Sequence, residues 1–400
     1  MTTKTAPLSF REIAKAQQGN IRDYGMYIAF VVIIIFFTIA TKGLFVSSRN
    51  IGNLVNATSY IAVLAVGMTL VIVIRHIDLS VGYLAGTLGA VAAIALKYWH
   101  LSVFLTIPMI LVFGILAGLL TAFLVAQMKI PAFVATLAGA LGFHGLLQLV
   151  TAGTGTIIIA DKFYTALGNG FIPDIPQIDF IPGIHEVTLI LGILTIVLYI
   201  FNEIRGRRST LAYHFEVQPL NLFILKMVFI SAIIAVITWI LAGYQGLSWA
   251  AVILLFVVLI YSYITNRTVT GRHIYAVGGN PEAAELNGIN VKRITFLVFG
   301  SMGLLSALGG ILYSSWLRSA TTIAGTGFEF DAISAAFVGG VAVAGGVGKV
   351  SGSILGALVM ASLTNGMNLL GWDISIQFIV RALVLAGAVI FDVATRKGAK

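Results

Sequence analysis

The sequence contains no cysteine and few charged residues. The lack of cysteine excludes disulfide bonds, thiolate metal sites and thiol nucleophiles. Charged residues make up only 10% of the 400 positions, whereas a soluble domain carries about a quarter. Hydrophobic residues make up 59%, and the 43 glycines are typical of helices that pack closely in lipid. This composition predicts an integral membrane protein, because a soluble core could not bury so much apolar surface.

Acidic residues are also scarce. The chain has 15 Asp and Glu but 24 Lys and Arg, which gives a net charge of +9. These basic residues form no basic face, so we expect no nucleic-acid partner. Membrane proteins instead place Lys and Arg in their cytoplasmic loops. The polar segment 1–24 is long for a signal peptide and no cleavage site follows it, so 26–41 is predicted to be a retained first span.

Long apolar runs dominate the rest of the chain. A membrane-spanning helix needs roughly 20 mostly apolar residues. Twelve segments approach this requirement: 26–41, 58–74, 80–97, 102–127, 132–152, 187–203, 221–242, 248–265, 294–316, 329–346, 351–371 and 374–393. The sequence therefore predicts an all-α fold, a polytopic membrane helix bundle of about 10–12 transmembrane helices.

Paired glycines recur within these segments. Three pairs at i and i+4 predict close helix packing: Gly82/Gly86, Gly114/Gly118 and Gly352/Gly356. The denser pairs Gly339-Gly340 and Gly345-Gly346 are candidates for breaking a helix near the membrane midplane, as in transporters that expose backbone groups to a pathway.

The basic residues favour one orientation. With the N-terminus inside, cytoplasmic segments hold 17 of the 24 Lys and Arg, outer segments hold 5, and two lie within spans. The predicted organisation is a cytoplasmic segment 1–25, a membrane domain 26–395 and a cytoplasmic tail 396–400. Within the membrane domain, loop 153–186 is predicted outside and loop 266–293 inside.

The inner loop contains the sequence GGNPEAAELNGINV, which specifies a short helix. Asn280 is a good N-cap, Pro281 suits the first helical position, and Gly288 suits the position after the helix. Two acidic residues lie early, where the helix dipole favours them: Glu282 and Glu285. We predict a two-turn helix from Pro281 to Asn287, either a connector resting on the protein's own membrane face or a docking helix for a cytoplasmic partner.

The spacing Glu282-Ala283-Ala284-x-x-x-Gly288 resembles the EAA loop of ABC importer permeases, which forms a coupling helix on the ATPase subunit. Four stretches further resemble ribose/xylose-type sugar permeases: residues 267–291, IDLSVG at 77–82, KIPAFVATLAG at 129–139, and residues 337–371. The additional polar stretch and spans at 204–247 make the chain most like the D-xylose subgroup, next to permeases for galactose, arabinose or several monosaccharides.

This resemblance implies an inner-membrane permease with cytoplasmic termini that works as a homodimer. An external sugar-binding protein would deliver a monosaccharide, and a separate ATPase subunit would bind the loop. The implied ATPase-coupling residues are Asn280, Pro281, Glu282, Ala283, Ala284, Glu285 and Gly288. The segment GGVGKVS lacks the spacing of a phosphate-binding loop, and no protease or hydrolase motif is present. The chain is thus expected to be no enzyme and to bind no cofactor.

Several polar residues in the spans have two interpretations. Asp78 and Ser80 either cap the third span or line a pathway. Thr136, Asn365 and Asn368 either make helix–helix hydrogen bonds or line that pathway. Two basic residues lie within spans. Lys226 is close to the predicted cytoplasmic edge and is predicted to snorkel to the interface. Arg381 either snorkels or pairs with an acid, or it has a role in the pathway.

Two other functional classes remain as alternatives. An ion-coupled secondary transporter typically needs acidic residues within the membrane, but the four candidates all lie near span ends: Asp78, Glu329, Asp331 and Asp392. A polytopic scaffold or receptor without transport is disfavoured by the lack of soluble domains. Departures from the sugar permease pattern, notably Arg75-His76 before IDLSVG and Tyr83 after it, concern local details of the pathway.

Overall fold

The computed structural model describes residues 21–175, 181–213, 215, 217 and 219–397. Most of the predicted cytoplasmic segment 1–25 and the last three residues of the predicted tail 396–400 lie outside this range. Within the described residues the chain forms fifteen α-helices and one two-stranded antiparallel sheet.

The elements follow one another in a nearly unbroken series of helices. In chain order they are α1 (Ile21–Ala40), α2 (Ser48–Val73), α3 (Val81–Lys97), α4 (Val103–Ala122), α5 (Ala132–Thr151), β1 (Ile157–Ile158), α6 (Lys162–Asn169), α7 (Glu186–Ala212), α8 (Leu220–Ala242), α9 (Trp249–Arg267), α10 (Val269–Gly279), α11 (Pro281–Leu286), α12 (Val291–Leu317), β2 (Ser319–Ala320), α13 (Phe328–Val338), α14 (Val350–Leu369) and α15 (Ile374–Lys397). A 3-10 turn (Leu44–Val46) precedes α2, and a π-helical turn (Phe123–Gln127) extends α4.

Eight of the described helices are long and apolar enough to cross a membrane: α2, α4, α5, α7, α8, α9, α12 and α14. Shorter apolar helices occupy three further predicted spans, at Met26–Ala40, Val81–Lys97 and Ile374–Ile390. The prediction of a polytopic helical membrane bundle is confirmed.

The predicted span 329–346 is wrong as a continuous helix. Helix α13 has only 11 residues and ends at Val338. Gly340, Gly345 and Gly346 then adopt φ values of +84°, +79° and +73°, which side chains with a Cβ rarely tolerate. The glycine pairs do break the helix as predicted. The second pair, however, packs against the C-terminal ends of α2 and α10 rather than at mid-height in the bundle.

Helix α12 lies at the centre and packs on α2, α3, α4 and α6. Close approach depends on glycine: a Cβ on Gly118 would overlap the carbonyl oxygen of Phe299, and one on Gly303 would overlap that of Gly114. The pairs in α3 and α14 meet backbone in the same way. All three predicted glycine pairs therefore serve helix packing.

Helices α7 and α8 pack on each other and leave most of their apolar surface exposed, as expected for a hairpin that faces lipid. They include residues 204–212 and 220–242 of the additional segment 204–247, so one of its one to two predicted spans is present as α8. Lys226 Nζ lies 2.9 Å from Glu203 Oε1. The charge of Lys226 is thus paired with an acid across the hairpin, a partner that the prediction of snorkelling did not include.

The loop 153–186 is partly structured by the β1–β2 pair and by α6. Near the end of this loop, the carboxylate of Asp174 accepts hydrogen bonds from the backbone N–H groups of Glu186 and Val187, at 3.0 and 3.1 Å. Desolvation opposes ionisation of this carboxyl, but these donors, the N–H of Ile175 and nearby His185 outweigh it and lower its pKa. The ionised carboxylate therefore fixes the start of α7.

Candidate functional site

The short helix α11 has the caps that the sequence specifies. The Oδ1 of Asn280 accepts a hydrogen bond from the N–H of Ala283 at 3.0 Å, and Pro281 is the first helical residue. Gly288 adopts φ +82° after the helix. The helix ends at Leu286, one residue earlier than predicted.

The preceding helix α10 was not predicted. Thr268 caps it by accepting a hydrogen bond from the N–H of Gly271 at 3.1 Å. A Thr followed by an early glycine is a weak signal, and the segment is too short and too polar to read as a span. Together, α10 and α11 form a helical elbow between the membrane helices α9 and α12.

Helix α11 has one buried face and one exposed face. Ala284 is buried in the main apolar core, so the helix is held against its own protein. Glu282 and Glu285 are exposed, and Leu286 is 90% exposed. An isolated exposed leucine beside two carboxylates on a well-formed helix is suited to insertion into a partner's groove. Sequence reasoning singled out the acids and missed this leucine.

The start of α11 is tied to the membrane helices by what we call the glycine junction: Val73, Arg75, Gly278, Gly279 and Gly346. The N–H of Gly346 donates to the carbonyl of Val73 at 2.8 Å. The Nε of Arg75 donates to the carbonyl of Gly278 at 2.7 Å, and its guanidinium also donates to the carbonyl of Gly279. A Cβ on Gly278 would overlap the Val73 carbonyl oxygen, so this contact requires glycine.

Arg75 holds this junction from an unusual backbone conformation, with φ +66°. The sequence marks it only as a departure from the family pattern. Tyr275 adds a further link, since its hydroxyl donates to the carbonyl of Gly348 at 2.5 Å. The residue next to Gly279 is Asn280, the cap of α11. Displacement of α11 would therefore act directly on the end of α2 and on the loop between α13 and α14.

Asp78, Ser80 and Thr136 form a second polar group, at the start of α3. The Oδ1 of Asp78 accepts hydrogen bonds from the N–H and the hydroxyl of Ser80 at 2.9 and 2.6 Å. The hydroxyl of Thr136 lies 3.3 Å from the carbonyl oxygen of Ile77. Ser80 is the N-cap residue of α3, but its side chain makes no capping hydrogen bond to the helix, so capping by the side chains of Asp78 and Ser80 is not seen. A pathway role for these three residues remains a prediction.

A cavity of about 480 Å³ lies between α2, the end of α12, α13, α14 and α15. Its polar lining includes the predicted residues Asn365 and Asn368, but not Asp78, Ser80 or Thr136. The structure therefore divides the predicted pathway residues into two separate groups. Other polar and aromatic residues of the cavity were not predicted to line it: Asn53, Tyr60, Trp316 and Asp331.

Both asparagines also join helices. Asn365 exchanges two hydrogen bonds with the side chain of Asn50, at 2.8 and 3.1 Å. The Oδ1 of Asn368 accepts a hydrogen bond from Gln377 at 2.7 Å. The predicted helix–helix role is confirmed for both. The Asn50–Asn365 pair was not predictable, because its two members lie 315 residues apart.

Arg381 pairs with Asp331 across α15 and α13, so the expectation of an acidic partner is confirmed. The side chains are 21% and 24% exposed, and the Arg381 guanidinium lies 5.7 Å from the centre of the Phe378 ring. The pair lines the cavity. The pairing interpretation of Arg381 is therefore confirmed, whereas its role in a pathway remains a prediction.

Residues 50–391 match the family described as the permease component of branched-chain amino acid transport systems. The chain is 37% identical over 383 residues to the xylose transport system permease protein XylH of Haemophilus influenzae, covering 96% of this chain and 99% of the relative. It is 36% identical over 378 residues to XylH of Escherichia coli K12, covering 94% and 93%.

The ribose import permease protein RbsC of Haemophilus influenzae is 34% identical over 370 residues, covering 92% of this chain and 91% of the relative. No solved structure matches the chain. The family match covers most of the chain, and the relatives align over nearly their whole length. The chain belongs to the family of branched-chain amino acid transport system permease components.

Proposed function

We propose that this chain is the permease subunit of an ATP-driven ABC importer for a monosaccharide, xylose or a related pentose or hexose. The relatives that align over nearly the whole chain are named xylose and ribose permeases. The family description names branched-chain amino acids instead. We favour a sugar because the relatives named for xylose and ribose align over 91% to 99% of their own lengths.

The observation that carries the proposal is the exposed face of α11. A permease without its own ATP site needs a surface through which a separate ATPase can act on it. Helix α11 presents Glu282, Glu285 and Leu286 outward and is fixed to the bundle by Ala284 and the glycine junction. Such a helix can dock into a groove on one side and transmit force on the other.

The proposed assembly contains two copies of this chain, ATPase subunits and an external sugar-binding protein in the cell inner membrane. The N- and C-termini of the permease chain are cytoplasmic, on the same side of the membrane as α11. Binding of ATP moves the ATPase subunits, α11 follows, and the glycine junction conveys the movement to α2 and to the α13–α14 loop. Nothing in the relatives supports the alternative of an ion-coupled secondary transporter.

Truncating Leu286 tests the docking surface. We expect Leu286→Ala to weaken binding of the ATPase subunit to the detergent-solubilised permease about tenfold, because buried apolar anchors dominate interface energy. Microscale thermophoresis with labelled ATPase subunit measures the dissociation constant.

Leu286→Met is the matched control, since it keeps the apolar volume and should retain binding. Equal affinities for the wild type and Leu286→Ala would show that α11 is only a connector on the membrane face.

A further inference from the structure

The cavity between α2, α12, α13, α14 and α15 has an aromatic wall. The rings of Tyr60 and Trp316 lie 6.0 Å apart, tilted by 38°. The rings of Tyr313 and Phe328 pack against Tyr60, with their centres 5.1 and 5.0 Å from the centre of the Tyr60 ring. Packed aromatic rings offer a rigid apolar surface at little entropic cost. The C–H face of a sugar ring is the part of a polar solute that suits such a surface.

Polar residues that line the same cavity have free hydrogen-bonding capacity. The side chain of Asn53 makes no hydrogen bond with any other described residue, and the amide N–H groups of Asn368 donate to none of them. Thr58 and Thr364 each donate their hydroxyl to a carbonyl of their own helix, at 2.6 and 3.1 Å. Their oxygens still have lone pairs that can accept a hydrogen bond.

The charges in the cavity cancel. Arg381 and Asp331 neutralise each other within one ion pair. A zwitterionic amino acid would have to compete with this contact, and the loss of either partner would leave a charge unpaired in a poorly solvated site. A neutral polyhydroxylated ligand needs no such exchange. The volume of about 480 Å³ also lies within the range of roughly 300–1,000 Å³ that is usual for small-molecule sites.

We propose that this cavity is a binding subsite for one neutral monosaccharide within each permease chain. The sugar ring lies against Tyr60 and Trp316, and its hydroxyl groups bind Asn53, Asn368 and the threonine oxygens. The inference rests on the proposed function and adds a site at which the permease itself recognises the sugar, apart from any binding protein.

The position of the subsite fits transport. Cavity residues of α2 end at Ile61, whereas the glycine junction begins at Val73, about 18 Å further along the helix at 1.5 Å per residue. The sugar therefore lies at the far end of α2 from the coupling helix α11. Helices α13 and α14 also connect the cavity to the glycine junction, because both helices line the cavity and the loop between them contacts the junction. Movement of α11 can thus change the shape of the subsite.

Sugar binding to the permease alone, in lipid nanodiscs without other subunits, tests this inference. Saturation-transfer difference NMR with D-xylose should show transfer to the ring protons. We expect the transfer to fall about fivefold in Asn53→Ala and in Asn368→Ala, as for the loss of one hydrogen bond, and to fall further in Trp316→Leu. Asn53 is exposed and makes no hydrogen bond with a described residue, so its replacement leaves the fold intact.

Two variants outside the cavity are matched controls: Trp239→Leu, whose side chain is 55% exposed on α8, and Asn202→Ala, exposed on α7. Both should retain full transfer, and L-leucine should not displace the sugar. Equal transfer in Asn53→Ala and Asn202→Ala, absence of transfer in the wild type, or displacement by L-leucine would overturn the subsite.

Uptake by the complete transporter in proteoliposomes separates this inference from the proposed function. A raised KM for D-xylose in Asn53→Ala and Asn368→Ala, with kcat nearly unchanged, supports the subsite. An unchanged KM refutes the subsite while sugar transport stands. A wild-type transporter that takes up no monosaccharide refutes the proposed function itself.

Discussion

Replacing Arg381 by methionine is expected to destabilise the protein by about 3 kcal/mol, because removal of one partner of a poorly solvated ion pair leaves the other charge uncompensated. Asp331→Leu should have a similar effect for the same reason. Both side chains are less than a quarter exposed, and the pair joins α13 to α15. Reversible unfolding in mixed micelles measures the free energy of unfolding of each variant.

The double variant Arg381→Met with Asp331→Leu is the control. Two apolar side chains of similar size replace the pair, so the double variant should recover most of the lost stability. Losses that simply add in the double variant would mean that the two residues do not stabilise each other.

Replacing Arg75 by alanine is expected to lower sugar uptake per ATP hydrolysed about tenfold, within the usual range of coupling between distant sites. The variant loses two hydrogen bonds from the guanidinium to the carbonyls of Gly278 and Gly279. Helix α11 then still docks on the ATPase, but its movement is no longer transmitted to α2. Parallel measurement of uptake and phosphate release in proteoliposomes gives the ratio.

Arg272→Ala is the matched control, because this arginine is exposed on α10 and lies outside the glycine junction. It should leave the ratio unchanged. Arg75→Lys tests geometry, since lysine keeps the charge but lacks the planar fork that reaches two carbonyl groups. If Arg75→Ala loses uptake and ATP hydrolysis in equal proportion, the arginine supports the fold or ATPase docking and has no role in coupling.

The membrane architecture was largely predictable because bilayer insertion imposes a strong pattern on the sequence. Apolar runs mark the spans, and local chemistry at Asn280, Pro281 and Gly288 defines α11 to within one residue. The prediction of a continuous helix at 329–346 was wrong for a physical reason. An apolar run indicates that a segment is buried, but glycines at positive φ decide whether its helix continues.

The cavity was only partly predictable. Asn365 and Asn368 were identifiable because polar residues within a span are expensive and usually have partners. Tyr60 and Trp316 were not, since aromatic residues in apolar helices look like any other packing residue. Their proximity depends on how α2 and α12 cross, and that is a property of the tertiary structure. The role of Arg75 was likewise not predictable, because its hydrogen-bond acceptors are carbonyl groups more than 200 residues away in the sequence.

The central claim is that α11 links this permease to an ATPase that drives monosaccharide import. The most direct test is the ATPase activity of the complex reconstituted in lipid with its ATPase subunit and binding protein. We predict stimulation by D-xylose-loaded binding protein, and loss of that stimulation in Glu282→Ala with Leu286→Ala. The account is contradicted if no ATPase associates and the chain alone moves solute down an ion gradient.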